Sequence, residues 1–344
     1  MNILVTGGCG FIGTNFINFI LSKEGFNVLN IDNLTYAANK DNLINHSANR
    51  NYTFLKGNIC DESLIQNALA DFQPDYVLNF AAESHVDNSI KSAKEFMHTN
   101  ILGTFNLLEQ ARAYYSNLEK KKKSLFKFHQ ISTDEVYGDM ELELFHENSQ
   151  YRPSSPYSAS KASADHLVRA WQRTYNLPTI ITNCSNNFGP FQFPEKLIPV
   201  VIINALNEKK IPVYGDGMQV RDWIYVLDHC DAIFQCISLG KSGETYNIGS
   251  SNQHTNLNII HEICSILDKL KPRKLAKKYN ELIEFIVDRP GHDRKYGINN
   301  KKAEKELMWK PKNNFKQALE QTVNWYIDNQ SWWKGVLEAN FHAK

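Results

Sequence analysis

Along residues 1–185 the hydrophobic positions alternate between two patterns. Short, nearly continuous apolar runs predict strands at 3–6, 28–31, 53–56, 76–81, 127–132 and 179–184. Between them, apolar residues recur at helical spacing over 12–24, 62–70, 94–115 and 158–175. Strands apolar on both sides belong to a parallel sheet covered by helices on each face. The expected fold class is therefore α/β, a doubly wound, Rossmann-type parallel sheet, with its ligand outside the carboxyl ends of the strands. After Cys184 the rhythm breaks. Residues 186–194 are turn-rich, helical spacing returns at 196–207, 228–239, 257–270 and 315–327, and 246–248 and 284–287 read as extended. Residues 186–344 are expected to form a smaller mixed α/β lobe, an arrangement that leaves room for a strand to return to the sheet.

Composition narrows the classes. A chain of 344 residues suits about two domains. Lys+Arg of 38 against Asp+Glu of 37 gives a net charge of +1, which argues against nucleic acid or an anionic membrane as the main partner. No apolar run reaches the ~18 residues of a spanning helix, and residues 1–5 read as a first strand, not a signal peptide. The lysine-rich runs at 120–123 and 271–278 fit solvated surface. Six scattered cysteines form no Cys-x-x-Cys pair, and no histidine spacing suggests a metal site, so free thiols in the cytoplasm and no metal are expected.

Gly7, Gly10 and Gly13 stand directly after the first strand and open the first helix. A tight turn, an unobstructed backbone and a helix N-terminus are what a pyrophosphate requires. Asp32 closes the second strand, 19 residues past Gly13; a carboxylate there accepts ribose hydroxyls and repels a 2′-phosphate, favouring NAD over NADP. Asn58 and Ile59 follow the third strand, where an amide suits an adenine amino group, and Phe80, Ala81 and Ala82 close the fourth. Strand packing alone accounts for each of these last contacts taken singly. Residues 1–185 are thus expected to be the NAD-binding domain and to carry the catalytic residues.

Tyr157 and Lys161 lie four apart at the start of a helix. An ammonium beside a phenol favours the phenolate and makes it a base for a sugar hydroxyl. Thr133 ends a strand 24 residues earlier. With Tyr157 and Lys161 it completes a triad that resembles the extended short-chain dehydrogenase/reductase family. Asp134 and Glu135 follow directly. A redox site needs no such pair, whereas eliminating water needs one group to take a carbon-bound proton and another to protonate the departing hydroxyl. The bland alternative is an acidic pair capping the next turn, with Asp134 as cap and Glu135 in solvent.

Over about residues 1–330 the chain resembles the dTDP-glucose 4,6-dehydratase family, most specifically at residues 6–13, 32–37, 81–87, 132–138, 155–165, 183–187, 193–199, 221–223 and 288–293. The resemblance implies that an NAD-dependent hydro-lyase converts dTDP-glucose to dTDP-4-keto-6-deoxyglucose. Tyr157 and Lys161 would act at C4 with Thr133 bonded to the same oxygen, Glu135 would take the C5 proton, and Asp134 would protonate the C6 hydroxyl. It adds Phe11, Ile12, Asn33, Leu34 and Thr35 to the cofactor contacts, together with Ser84, Thr99 and Asn187, and extends that role to Tyr157 and Lys161. For the nucleotide sugar it implies Ser84, Thr133, Asn186, Lys196 and Leu197, then Pro212, Val213 and Tyr214, and finally Arg221, Asn256, Arg289 and His292. Arg221 is equally placed to pair with Asp222, and Asn256 to cap the helix beginning at Leu257. UDP-glucose is the alternative substrate; a 4-epimerase or decarboxylase, or a non-catalytic NAD-binding protein, are the alternative classes. A homodimer is implied, through 101–115 and the helix after Tyr157. The chain departs from the family pattern at Cys9, at Asn58 in place of an aspartate, and in a short 140–150 segment.

Overall fold

The computed structural model describes residues 1–140 and 143–342, with side chains to residue 338. The short 140–150 segment is thus described except for residues 141 and 142. All six strands expected in the first half form: β1 (Asn2–Thr6), β2 (Asn27–Asp32), β3 (Tyr52–Lys56), β4 (Tyr76–Asn79), β5 (Lys127–Thr133) and β6 (Thr179–Cys184). The second half supplies β7 (Asn186–Phe188), β8 (Ile211–Tyr214), β9 (Val220–Tyr225), β10 (Thr245–Ile248), β11 (Gln253–Thr255) and β12 (Ile283–Ile286). The main sheet has seven strands in the order β10-β6-β5-β4-β1-β2-β3, parallel throughout. Of its two outer strands, β10 comes from the second half and lies against β6, Thr245 opposite Ile181.

The helices used below are α1 (Phe11–Leu21), α2 (Glu62–Phe72), α3 (Thr104–Asn117), α4 (Pro156–Tyr175), α5 (Leu197–Leu206), α6 (Val226–Leu239), α7 (Asn256–Leu270) and α8 (Phe315–Asp328). Period-two geometry sends the apolar residues of β1 to both faces. Ile3 and Val5 join Phe16, Ile17 and Ile20 of α1 on one side, and Leu4 joins Leu69, Leu107 and Val168 of α2, α3 and α4 on the other. In the second half β7, β9 and β11 form a three-stranded sheet, β8 and β12 a parallel pair, and α5, α7 and α8 pack together. Among the described residues no helix is long and apolar enough to cross a membrane.

Two departures from the periodicity bear on the site. The expected strand 76–81 stops at Asn79, and residues 80–82 leave the sheet to line a cleft. The single helix expected over 94–115 is interrupted by a wide π-type turn, Met97–Gly103. There Gly103 presses against the Ile59 side chain, where a Cβ would stand 2.5 Å from Cδ1. Buried Asn100 bridges two segments: its amide donates to the Glu83 carbonyl at 3.0 Å and the Ser160 hydroxyl at 2.8 Å.

Candidate active site

A cleft of about 300 Å³ opens at the carboxyl ends of the strands, where β1 and β4 diverge in the strand order. Gly7 (φ +71°) turns the chain out of β1 so tightly that a Cβ would lie 2.6 Å from the Ala81 nitrogen. Gly13 is equally confined, its Cβ position 2.4 Å from the Gly7 carbonyl oxygen. Gly10 is not. Its backbone is ordinary (φ −78°), and a Cβ would meet only the Gly7 oxygen, at 3.4 Å. Gly10 is also the N-cap of α1 and offers no side-chain cap, so first-turn N–H groups are left for an anion in the cleft. Asp32 holds the end of β2: its carboxylate accepts from the Cys9 and Leu34 N–H groups, each at 2.8 Å, and burial pushes its pKa up. A glycine-walled turn, a free helix N-terminus and a carboxylate at the end of the neighbouring strand fit the pyrophosphate and ribose of a dinucleotide.

The structure brings nearly all the expected cofactor residues to this cleft. Gly7, Gly10, Phe11, Ile12 and Gly13 form one end, with Asp32, Asn33 and Thr35 beside them. Asn58 and Ile59 follow β3; Phe80, Ala81, Ala82 and Ser84 follow β4; Thr99 reaches in from the wide turn, and Asn187 from β7. Leu34 is the exception. It adopts φ +55°, and its side chain packs on the core instead of lining the cleft.

The catalytic candidates stand at the other end. Ser155 and Ser158 form a reciprocal capping box, with Pro156 in the first turn, which fixes where α4 begins. Tyr157 and Lys161 then share the face turned to β5, and both are nearly buried. The Lys161 ammonium donates to the Ile131 carbonyl at 2.7 Å, and the Tyr157 phenol is within hydrogen-bond reach of Thr133. The expected lowering of the phenol by the lysine is not found. Burial first, then Glu135 and Cys184, push Tyr157 well above its ordinary value, while burial lowers Lys161.

Thr133, not Asp134, caps the short turn Asp134–Tyr137, its hydroxyl accepting from the Glu135 N–H at 3.2 Å. The capping alternative for the acidic pair therefore fails. Asp134 is 2% exposed, with Oδ2 buried and without a hydrogen-bond partner among the described residues, and Glu135 lines the cleft. Gly138 (φ +83°) ends the turn where a Cβ would collide with the Arg152 carbonyl oxygen at 2.1 Å. Burial raises both carboxyls, but their neighbours differ. Glu135 and Asp222 push Asp134 further up against Arg221, whereas Lys196, Arg221 and Arg289 pull Glu135 back down. Two adjacent carboxyls in opposite charge environments suit one proton donor and one acceptor.

The substrate candidates divide. Ser84, Thr133, Asn186 and Lys196 line the cleft, with the Lys196 ammonium donating to the Ser84 carbonyl at 2.7 Å. Leu197, Pro212, Val213, Tyr214, Arg221, Asn256, Arg289 and His292 do not line it. Val213 turns its side chain into the core at 1% exposure. Arg221 lies over the Tyr296 ring at 4.2 Å and donates to the Val220 and Asp293 carbonyls, not to Asp222. Thr255 caps α7, accepting from the Asn258 N–H at 3.1 Å, and Asn256 is the first helical residue. Arg289 donates to Asp87 at 2.9 Å across the two halves, Tyr214 reaches the same carboxylate at 3.5 Å, and His292 pairs with Asp288 at 2.6 Å.

Sequence reasoning passed over Glu195, which lines the cleft, accepts from the Tyr36 hydroxyl at 3.0 Å and is pushed up to about 7 by burial. Gln192 and Phe193 also line it. All three fall in the 186–199 region singled out by its turns and resemblance; nothing in the residue types marks them individually.

A parallel Rossmann-type sheet whose dinucleotide cleft ends at a Thr, a Tyr and a Lys four residues apart defines an extended short-chain dehydrogenase/reductase. Comparison with known proteins agrees. A family model described as GDP-mannose 4,6 dehydratase matches residues 4–322, and the chain belongs to that family. It is 52% identical over 346 residues to a dTDP-glucose 4,6-dehydratase of Neisseria meningitidis serogroup B, covering 99% of this chain and 98% of the relative. It is 51% identical over 353 residues to dTDP-glucose 4,6-dehydratase 1 of Escherichia coli K12, covering 100% and 97%. A crystal structure of dTDP-glucose 4,6-dehydratase from Bacillus anthracis in complex with NAD superimposes with a TM-score of 0.86 at 44% identity, over 98% of this chain and 99% of that one.

Proposed function

We propose that this protein is an NAD-dependent hydro-lyase that converts dTDP-glucose to dTDP-4-keto-6-deoxyglucose and water. Asp134 and Glu135, side by side at the cleft in opposite charge environments, are the observation that carries the reading. The dTDP-glucose 4,6-dehydratases about half identical over the full chain support it.

Gly7, Gly10 and Gly13, the α1 N-terminus and Asp32 would hold NAD. When bound, NAD would supply the hydride acceptor for C4 and the donor for C6, and would bring positive charge to a site whose phenol is raised by burial first and Glu135 second. Tyr157 receives the C4 hydroxyl proton, Thr133 bonds the same oxygen, and Lys161 supplies the positive charge four residues along α4. Once C4 is a ketone, the C5 proton is acidic and passes to Glu135. Asp134, held protonated by burial and its acidic neighbours, gives its proton to the C6 hydroxyl, which leaves as water. Glu135 returns its proton to C5 as C6 becomes a methyl group. Tyr157 then releases its proton to solvent and Asp134 takes one up, so that atoms balance to the loss of one water and the site is reset. The second half of the chain supplies the nucleotide pocket, with Arg221 and Arg289 as cations for the diphosphate.

We also propose that the protein is a homodimer in the cytoplasm, where its six unpaired cysteines stay reduced. Leu102, Phe105 and Tyr175 are 54%, 43% and 46% exposed on the wide turn, α3 and α4, which is the apolar surface a second copy would cover.

Incubation with dTDP-glucose and, separately, UDP-glucose, followed by proton NMR, tests the reading. A new C6 methyl signal beside a 4-keto or hydrated carbon, formed faster from dTDP-glucose, is expected. Conversion to the galactose epimer without a methyl signal would refute the roles given to Asp134 and Glu135.

A further inference from the structure

Four residues of α4 recur at exact four-residue spacing on the face turned to the sheet: Tyr157, Lys161, Asp165 and Arg169. The first two belong to the reaction proposed above. Asp165 has no part in it, although it is wholly buried. An ionised carboxyl in such a place is costly unless charge and hydrogen bonds compensate it.

Asp165 Oδ2 collects three donors: the Ser132 hydroxyl at 2.8 Å, the Tyr151 hydroxyl at 3.0 Å and the Asn183 amide at 3.3 Å. Tyr151 in turn accepts from Arg169 Nη2 at 2.8 Å, and that guanidinium lies 4.7 Å from its ring centre. The Tyr151 hydroxyl has one proton, and its nearer acceptor is Asp165 Oδ2 at 3.0 Å, against Asn183 Oδ1 at 3.5 Å. Two of the donors come from the strand ends beneath the catalytic residues, and the third, Tyr151, from the segment that precedes α4. Ser132 is on β5 and Asn183 on β6, and the Asn183 amide also donates to the Thr133 carbonyl at 3.1 Å. Lys161 grips the adjacent Ile131 carbonyl at 2.7 Å. Helix α4 is therefore docked on three consecutive residues of β5, the last of them Thr133, and two of the three connections run through Asp165.

Its charge matters as much as its bonds. Lys161 is buried, which disfavours an ammonium, and Asp165 is the foremost group acting in the other direction; the Cys184 thiol is the other titratable group acting on it. Burial raises the Asp165 carboxyl; Lys161 first and Arg169 second act against that rise, and the group faces the Tyr151 and Tyr137 hydroxyls. One buried carboxylate thus sits between two cations on the same helical stripe. Its second oxygen, Oδ1, is buried and has no hydrogen-bond partner among the described residues, so that side of the group is compensated by charge rather than by a bond.

We infer that Asp165 is a positioning residue, which serves as the buried counter-charge of Lys161 and locks the Ser132–Thr133 strand end to the helix that presents Tyr157. The inference rests on the dehydratase reading for its kinetic consequence, and on the structure alone for the rest.

The test uses Asp165→Asn, which keeps the shape and removes the charge, and Ser132→Ala, which removes the β5 bond and keeps the charge. Carbon-13 labelling at lysine Cε follows Lys161 by NMR without any turnover; its signal is assigned by its loss in Lys161→Arg. In Asp165→Asn the Lys161 titration midpoint is expected to fall by at least one pH unit, and the alkaline limb of the kcat profile to move down with it. In Ser132→Ala the midpoint is expected to stay within 0.3 of the parent, as an order-of-magnitude allowance of about 0.4 kcal/mol, while kcat falls roughly tenfold, the worth of one such bond. An unchanged midpoint in Asp165→Asn overturns the counter-charge, as does a loss of kcat by the same factor at every pH. Wild-type kcat in Ser132→Ala overturns the positioning role, and this variant decides the matter if Asp165→Asn does not fold. A parent protein inactive on dTDP-glucose would refute the dehydratase reading while the Lys161 titration still decided the counter-charge.

Discussion

Replacing Gly10 by Ala separates what the glycine turn does for the fold from what it does for the cofactor. At φ −78° any residue is comfortable, and the added methyl would touch only the Gly7 oxygen, at 3.4 Å. Reduced freedom of the unfolded chain should even stabilise the variant by about 0.4–1 kcal/mol. The methyl would, however, stand in the cleft at the N-cap of α1, where a pyrophosphate must approach the first-turn N–H groups. Loss of two charge-assisted bonds at roughly 1.5 kcal/mol each totals about 3 kcal/mol, or a factor of about 150 in NAD affinity. Gly7→Ala differs on both counts, since at φ +71° its methyl would lie 2.6 Å from the Ala81 backbone nitrogen, and the β1 turn could no longer touch the tail of β4. Calorimetric NAD titration of cofactor-stripped protein and a thermal scan of each variant check this. Gly10→Ala should lose affinity at an unchanged or higher Tm, and Gly7→Ala should lose both. An affinity within threefold of the parent in Gly10→Ala, or a fall in Tm matching that of Gly7→Ala, would refute the reasoning.

Three further outcomes follow from the site. Glu135→Gln should lower dehydration by about 10²–10⁴ and abolish C5 deuterium incorporation in D2O, both read by NMR, with NAD affinity unchanged within error. Burial first, then Glu135 and Asp222, raise Asp134, so Asp222→Asn should lower the Asp134 pKa; carbon-13 NMR of labelled aspartate carboxyls, with the Asp134 signal assigned by its loss in Asp134→Asn, should show its midpoint at lower pH while the Lys161 midpoint stays in place. Asp87→Asn removes the partner that orients Arg289 across the two halves; KM for dTDP-glucose should rise about tenfold, for a loss near 1.4 kcal/mol, with kcat within a factor of about two.

What was legible beforehand depended on how local its cause was. Five of the six strands of the first half declare themselves because most of their residues are buried on both faces, the edge strand β3 shows as a short apolar run although none of its residues is fully buried, and the glycine turn is legible because its chemistry lies in one short segment. Strands β7 and β11 have three residues each, too short to show a period, and exist because β9 lies between them. The wide turn at Met97–Gly103 hides inside a helical pattern because its cause is the Asn100 side chain reaching Glu83 and Ser160, far along the chain. Tyr157, Lys161 and the acidic pair could be assigned from spacing, but the charges that distinguish Asp134 from Glu135 come from Lys196, Arg221, Asp222 and Arg289, which only folding brings near. Thr255 takes the cap that Asn256 could have filled because the helix begins one residue earlier than the periodicity indicates.

The position of β10 has a consequence for biosynthesis. Until residue 248 has left the ribosome, β6 is the outermost strand of an incomplete sheet, with all six of its residues destined for burial and one edge unpaired. An open, apolar, parallel edge invites pairing with another nascent chain. A fragment ending at 185 should therefore aggregate on expression even though it holds the glycine turn, Tyr157 and Lys161. The 60 or so residues made between β6 and β10 mark a vulnerable interval during translation, and slow codons or a destabilising substitution within it would reduce yield without altering the finished enzyme.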